Sequence, residues 1–148
     1  MTEIRFYHLE RSSLEQALPA LVGKAYNMGH KIVIQTGSSQ TTEDLSTHLW
    51  TYDPNSFLPH GSAKDGNAEH QPIWLTDQDE NPNNADVLIT VKGGASANID
   101  AYKLCCDMFD GRNENELSAA RARWKTLKDA GFTLTYWQQG QNGWEKKA

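Results

Sequence analysis

The feature that most constrains the fold is a continuous apolar run, Val87-Leu88-Ile89-Thr90-Val91, which follows Asp86. Aliphatic and β-branched residues without polar alternation are typical of a strand buried on both faces, as in the centre of a parallel sheet. A second run of this kind, Ile32-Val33-Ile34, lies earlier in the chain. The two runs predict central strands of a largely parallel sheet.

Strand and helix patterns alternate along the rest of the chain. Further short strands are predicted at residues 5–9, 72–76 and 132–137. Apolar residues at helical spacing predict helices at residues 14–28, 41–49, 99–109 and 114–130. This order predicts an α/β fold: a three-layer, Rossmann-like, mostly parallel sheet with helices on both faces and no phosphate-binding loop.

The predicted elements form one unit. We assign residues 1–137 to a single α/β domain, a suitable length for one sizeable core. Residues 138–148 carry no periodic pattern, and we expect them to be a flexible C-terminal tail.

Charge and composition narrow the function. The net charge of the 148 residues is −5, which argues against direct binding to DNA because phosphate contacts need basic surfaces. No apolar run is long enough to span a membrane, which takes about 20 residues, so we expect no membrane association. The N-terminus lacks the pattern of a signal peptide, and a cytoplasmic location is the default expectation.

No sequence motif for a metal or a cofactor is present. The adjacent pair Cys105 and Cys106 has no second pair with which to bind zinc. The acidic cluster Asp77, Asp79 and Glu80 lacks the glycine and the closing glutamate of a calcium loop. We therefore expect no metal and no cofactor.

Catalytic motifs are missing as well. The chain has neither of the two glycine-rich phosphate-binding signatures and no nucleophile elbow. The turn Gly93-Gly94 follows the strongest strand, where ligands of α/β folds often bind. This leaves one alternative open: a nucleotide-binding α/β enzyme with an unrecognised site at this turn.

The predicted helix at residues 114–130 carries a row of cations. Arg121, Lys125 and Lys128 recur at intervals of four and three residues and share one face, whereas Arg123 points elsewhere. Trp124 lies beside this row. The row is either a solvated basic face or a site for an acidic partner, whose apolar end an indole accepts. A rival hypothesis, which the acidic net charge disfavours, is that the row and Trp124 bind single-stranded DNA directly.

An aromatic loop forms the second notable stretch. Trp50, Tyr52 and Phe57 occur around Pro54 and Pro59, which stiffen the chain and end the preceding helix. Large apolar side chains on a stiff loop either close the edge of the core or dock against another protein.

These residues together resemble the chi subunit family of bacterial DNA polymerase III. The resemblance covers residues 4–137 and depends on four segments in their order and spacing. They are Arg5–Leu9, Trp50 with Ser56–His60, Ala85–Ile89, and Arg121–Lys125 with Ala130–Phe132. The resemblance implies a non-catalytic connector, not an enzyme, with the layout of nucleotide-binding domains and without their chemistry.

The resemblance also implies partners and sites. Chi subunits bind the acidic C-terminal tail of single-stranded DNA-binding protein (SSB), and the matching positions here are Arg121, Trp124 and Lys125, with Phe109 lining the pocket from the preceding helix. We add Lys128 because it continues the cationic row.

The second partner implied is the psi subunit, which joins chi to the clamp loader. Its surface maps onto the aromatic loop, with Phe57 as the clearest match beside Trp50, Pro59 and His60. Whether a helicase binds the same surface is left open by the sequence.

Overall fold

A computed structural model of the chain describes residues 2–53 and 58–148. Its three α-helices are α1 (Leu14–Asn27), α2 (Ser39–Thr51) and α3 (Glu114–Asp129). Its seven strands are β1 (Glu3–Leu9), β2 (Ile32–Gln35), β3 (Ile73–Thr76), β4 (Val87–Thr90), β5 (Leu104–Asp110), β6 (Thr133–Gly140) and β7 (Gly143–Lys146). Short 3-10 turns occupy Ala68–His70 and Ile99–Ala101.

The strands form one sheet in the order β3-β2-β4-β5-β1-β6-β7. All neighbours are parallel except β6 and β7, which pair antiparallel. The residues Val87 to Ile89 of β4 are at most 1% exposed, as the continuous apolar run predicted. The predicted mostly parallel sheet is confirmed.

Helices cover both faces of this sheet. Alternate residues of β1 point to opposite sides: Tyr7 and Leu9 join the core beneath α1 and α2, whereas Ile4 and Phe6 join the core beneath α3. The three-layer α/β fold is therefore confirmed. Helix α1 starts at Ser13, whose hydroxyl accepts a hydrogen bond from the backbone N–H of Gln16.

The helix predicted at residues 99–109 is wrong. This segment contains a single 3-10 turn and then strand β5, which lies between β4 and β1. Residues 105–109 are all at most 8% exposed because both faces of the strand are covered. A strand without alternating exposure gives no period of two, and the spacing of Tyr102, Cys106 and Phe109 imitated a helix.

The prediction that residues 138–148 form a flexible tail without regular structure is also wrong. Strand β6 continues to Gly140, and β7 pairs back on it through a turn with Gly143 at φ 114°. Trp144 of β7 packs against Tyr7 with a ring-centroid distance of 5.0 Å. The sequence of this hairpin is polar and shows no periodic pattern, so it did not predict a strand. Contacts with distant residues stabilise the hairpin. Among the described residues, no helix has the length and apolar character needed to cross a membrane.

Candidate functional site

Helix α3 carries the main candidate site and is fixed at its start by a cap. The side-chain oxygen of Asn113 accepts hydrogen bonds from the backbone N–H groups of Asn115 and Glu116. Ala120 faces the sheet and is 1% exposed. Two glutamates lie in the first turn and Lys128 in the last, an arrangement that suits the helix dipole.

The cationic row of α3 is exposed to solvent. Arg121, Lys125 and Lys128 all lie on the outer surface of the helix. Within residues 2–53 and 58–148, none of the three forms an ion pair. We name these three residues the basic row. Because their charges are not neutralised within the described protein, they are available to an acidic ligand.

Arg123 has a different role from the basic row. Its Nε lies 2.6 Å from Oδ2 of Asp107 on β5, and its Nη2 lies 2.9 Å from Oδ1. Burial raises the pKa of the Asp107 carboxyl, and the Arg123 guanidinium acts in the opposite direction. Arg123 therefore anchors α3 to the sheet, and its guanidinium is already engaged, which agrees with its predicted position away from the row.

Trp124 is half-buried at the edge of the basic row. Its ring centroid lies 5.3 Å from that of Phe6 on β1 and 5.7 Å from that of Tyr136 on β6. Both contacts are edge-to-face, the geometry that aromatic pairs prefer. The indole is thereby held in place on the helix that also carries Arg121 and Lys125.

Phe109 lies on strand β5, not on a helix as predicted, and is 3% exposed. Its ring contacts Phe6 at 6.4 Å and Tyr136 at 6.1 Å. Its ring therefore belongs to the packed layer beneath α3. The structure brings it close to Trp124 through these shared neighbours, but it offers almost no surface of its own.

The sequence predicted no role in the site for Phe6, His8 or Tyr136, yet these residues complete the aromatic cluster. Nδ1 of His8 lies 2.6 Å from the hydroxyl of Tyr136, and Nε2 lies 2.5 Å from a carboxylate oxygen of Glu10. Burial raises the pKa of Tyr136, and the positive charge of Arg121 lowers it. The sequence signals were the resemblance segment Arg5–Leu9 and the alternation of β1 and β6. Neither reveals which strands are neighbours.

The second candidate surface lies at the end of α2. Trp50 is 47% exposed, and its ring packs on that of His60 with centroids 4.1 Å apart. His60 is 3% exposed, and its ring nitrogens lie 2.6 and 2.9 Å from the carbonyl oxygens of Leu58 and Ser46. Pro59 is partly exposed. His60 thus supports Trp50 from the interior, and Phe57 lies outside the described residues.

The turn Gly93-Gly94 has a packing explanation. Gly93 adopts φ 91°, and a Cβ on Gly94 would lie 2.1 Å from the backbone oxygen of Gln35. Both positions thus require glycine for conformation and close approach, independently of any ligand. A cavity of about 210 Å³ lies beside this turn. The described part of the chain holds no group of three or more side chains able to bind a metal ion.

Comparison with known proteins identifies relatives of this chain. The family model described as "DNA polymerase III chi subunit, HolC" matches residues 1–135. The chain is 38% identical over 91 residues to the "Probable DNA polymerase III subunit chi" of Rickettsia prowazekii. That alignment covers 62% of this chain and 55% of the relative, so it spans about half of the relative's length.

Two further relatives align over more of their length. The "DNA polymerase III subunit chi" of Escherichia coli (strain K12) is 24% identical over 83% of this chain and 84% of its own. The protein of the same name from Haemophilus influenzae is 25% identical over 88% of this chain and 93% of its own.

Proposed function

Because the chain belongs to the DNA polymerase III chi subunit family, we propose that it is a non-catalytic accessory subunit of the replicative polymerase in the cytoplasm. In this role it links the clamp loader to SSB by binding the acidic C-terminal tail of SSB on the outer surface of α3. The site consists of Arg121, Trp124, Lys125 and Lys128, with Phe109 in the layer below.

One observation carries the proposal. The three cations of the basic row are exposed and have no ion-pair partner within the described residues, although the protein as a whole is acidic. A cationic row on an acidic protein is suited to an acidic ligand, since it concentrates positive potential on one surface. The half-buried Trp124 beside it adds an apolar contact.

Each side chain of the site has a binding role that follows from its chemistry. The SSB tail is a short acidic peptide that ends in a free carboxylate on an apolar residue. Arg121 pairs with that carboxylate or with a neighbouring aspartate, because guanidinium groups bind carboxylates at two points. Trp124 accepts the apolar side chain. Lys125 and Lys128 attract the acidic run and act mainly on the association rate.

Phe109 contributes to this site from below. Being 3% exposed, it can support Trp124 only through Phe6 and Tyr136. We therefore assign it to the support of the apolar surface and not to direct contact with the tail.

A titration with a fluorescent peptide copying the SSB tail tests the proposal. The unmodified protein should bind with about micromolar affinity, because a short flexible peptide is ordered on binding. Added salt should weaken the binding, because it screens the charges on the row and on the peptide. Arg121→Ala should cost about 2–4 kcal/mol of binding free energy. The matched control is Lys24→Ala, which removes an exposed cation from α1 on the opposite face of the sheet.

The control variant should bind the peptide as the unmodified protein does. If Arg121→Ala and Lys24→Ala bind equally well, the site is not on α3. If the peptide binds neither variant nor the unmodified protein, the proposed function is wrong.

For the second partner, we propose that the surface around Trp50 binds the psi subunit of the clamp loader. Trp50 and Met28 are the two large apolar side chains that are exposed among the described residues. Trp50→Ala should weaken binding of purified psi in calorimetry, whereas Met28→Ala should leave it unchanged. Equal losses from the two variants would contradict this placement.

A further inference from the structure

A chain of hydrogen bonds leads from Glu10 through His8 to Tyr136, next to the proposed tail site. His8 is buried at 7% exposure and lies on β1. Its two ring nitrogens face the Glu10 carboxylate at 2.5 Å and the Tyr136 hydroxyl at 2.6 Å. Tyr136 in turn contacts Trp124 and lies within the field of Arg121.

The chemistry of the three groups fixes the direction of the protons. An ionised carboxylate can only accept a hydrogen bond, so Nε2 of His8 carries a proton and donates a hydrogen bond to Glu10. When the imidazole is neutral, Nδ1 is therefore an acceptor, and the only hydroxyl proton of Tyr136 is directed into the protein toward it. In this state Tyr136 has no proton to offer to a ligand.

Protonation of His8 reverses the second bond. The imidazolium carries protons on both nitrogens, so Nδ1 donates to the Tyr136 oxygen. The Tyr136 hydroxyl then no longer donates its hydrogen bond to His8. It can instead donate one toward the outer surface, where Arg121 and Trp124 lie. A phenol that donates to a carboxylate makes a charge-assisted hydrogen bond, which is stronger than a neutral one.

We propose that Tyr136 is a further binding residue for the carboxylates of an acidic tail, and that His8, held by Glu10, is the positioning residue that controls whether its hydroxyl can donate. The inference rests on the proposed function of α3, and it adds to that site a strand residue and a dependence on pH. Tail binding is then stronger when His8 is protonated.

Charged groups reach His8 from several elements. Glu10 follows β1, and Asp110, whose carboxylate interacts electrostatically with His8, ends β5. Tyr136 comes from β6, and Arg121 acts on Tyr136 from α3. The close packing of His8 continues at Gly111, where an added Cβ would lie 1.7 Å from Nε2. Gly111 therefore leaves the space that the His8 ring occupies.

The test is the same fluorescent tail peptide, titrated at about pH 8 and about pH 6, the range in which an imidazole changes charge. The unmodified protein should bind about three- to tenfold more tightly at the lower pH, the gain expected from one charge-assisted hydrogen bond. Tyr136→Phe should bind equally at both pH values and match the unmodified protein at the higher one.

Two further variants test whether the pH dependence comes from His8 and not from a loss of folding. His8→Gln removes the imidazole and should also abolish the pH dependence, with thermal unfolding used to confirm that both variants are folded. The matched control is His70→Gln, whose side chain is 80% exposed, and it should keep the pH dependence.

The outcomes are distinct. A tail affinity that does not change with pH, or a change that survives in Tyr136→Phe, overturns this inference while tail binding itself stands. Loss of the pH dependence in His70→Gln overturns it too, because the effect would then come from elsewhere. Absence of tail binding at both pH values overturns the proposed function together with the inference.

Discussion

Arg123 on helix α3 and Asp107 on strand β5 form a two-point ion pair, with N–O distances of 2.6 and 2.9 Å. The carboxylate is buried, and its side chain is 11% exposed against 36% for the arginine. This pair fixes the helix that carries the basic row to the centre of the sheet. Arg123 therefore positions the proposed site on α3 and is not one of its binding residues.

Removing this ion pair should destabilise the protein. We expect Arg123→Ala to lower the free energy of unfolding by about 1–3 kcal/mol, because it leaves the Asp107 carboxylate buried without its partner. Denaturant unfolding measures this loss. The control is Arg112→Ala, which breaks the more exposed pair with Asp110 and should cost less than about 1 kcal/mol. Equal costs would show that burial does not decide the strength of these pairs.

Gly94 should not tolerate a side chain. A Cβ at this position would lie 2.1 Å from the backbone oxygen of Gln35 and 2.7 Å from its carbonyl carbon. Backbone atoms of a buried strand cannot turn aside as a flexible side chain can. We expect Gly94→Ala to cost about 1–3 kcal/mol of unfolding free energy by overpacking, and a neutral result in denaturant unfolding would contradict this packing.

Gly23 should respond in the opposite direction. It lies within helix α1, and an added Cβ would make one ordinary contact, 3.8 Å from Cδ2 of Leu58. Alanine is favoured over glycine inside a helix by about 0.5–1 kcal/mol. We therefore expect Gly23→Ala to raise the midpoint of thermal unfolding. A lower midpoint would mean that the space beside Leu58 does not admit the added methyl group.

Asp79 should make stability depend on acid pH. Its carboxylate accepts hydrogen bonds from the hydroxyl of Ser96 and the backbone N–H of Ala97, and the bond from Ser96 is the main reason that its pKa is lowered. The folded state thus favours the ionised form. The resulting stability is present at neutral pH and is lost as the pH falls through the lowered pKa.

Unfolding of Asp79→Ala beside the unmodified protein tests this dependence. We expect a difference of less than about 1 kcal/mol at neutral pH, because the carboxylate is largely exposed to solvent. The difference should diminish when the pH falls below about 4, near the ordinary range of a carboxyl group. A difference that grows toward acid pH would reverse the sign argued here.

The parts of the fold that depend on local pattern were predictable. Continuous apolar residues identified β4, and helical spacing identified α1 and α3, because each of these signals lies within a single segment. The same reasoning failed at β5, which is buried on both faces. It failed again at the C-terminal hairpin, where β7 depends on pairing with β6 and on the contact between Trp144 and Tyr7.

The candidate site divides in the same way. Spacing along one helix was enough to place Arg121, Lys125 and Lys128 on a common face and to separate Arg123 from them, since helix geometry relates residues three and four apart. It also put Trp124 beside the row. The partner of Arg123 could not be predicted, because Asp107 lies on another element that was predicted with the wrong structure.

By itself the sequence determined the α/β class, the central strand β4 and the basic row, because short-range periodicity encodes these properties. Four segments in their order and spacing carried the resemblance to the chi subunit family. Only the tertiary structure decided that Phe109 is a buried strand residue, that His60 lies beneath Trp50, and that His8 meets Tyr136. His8 and Tyr136 are 128 residues apart and touch because β1 and β6 are neighbours in the sheet. Strand order arises from how the whole chain packs, and no local pattern records it.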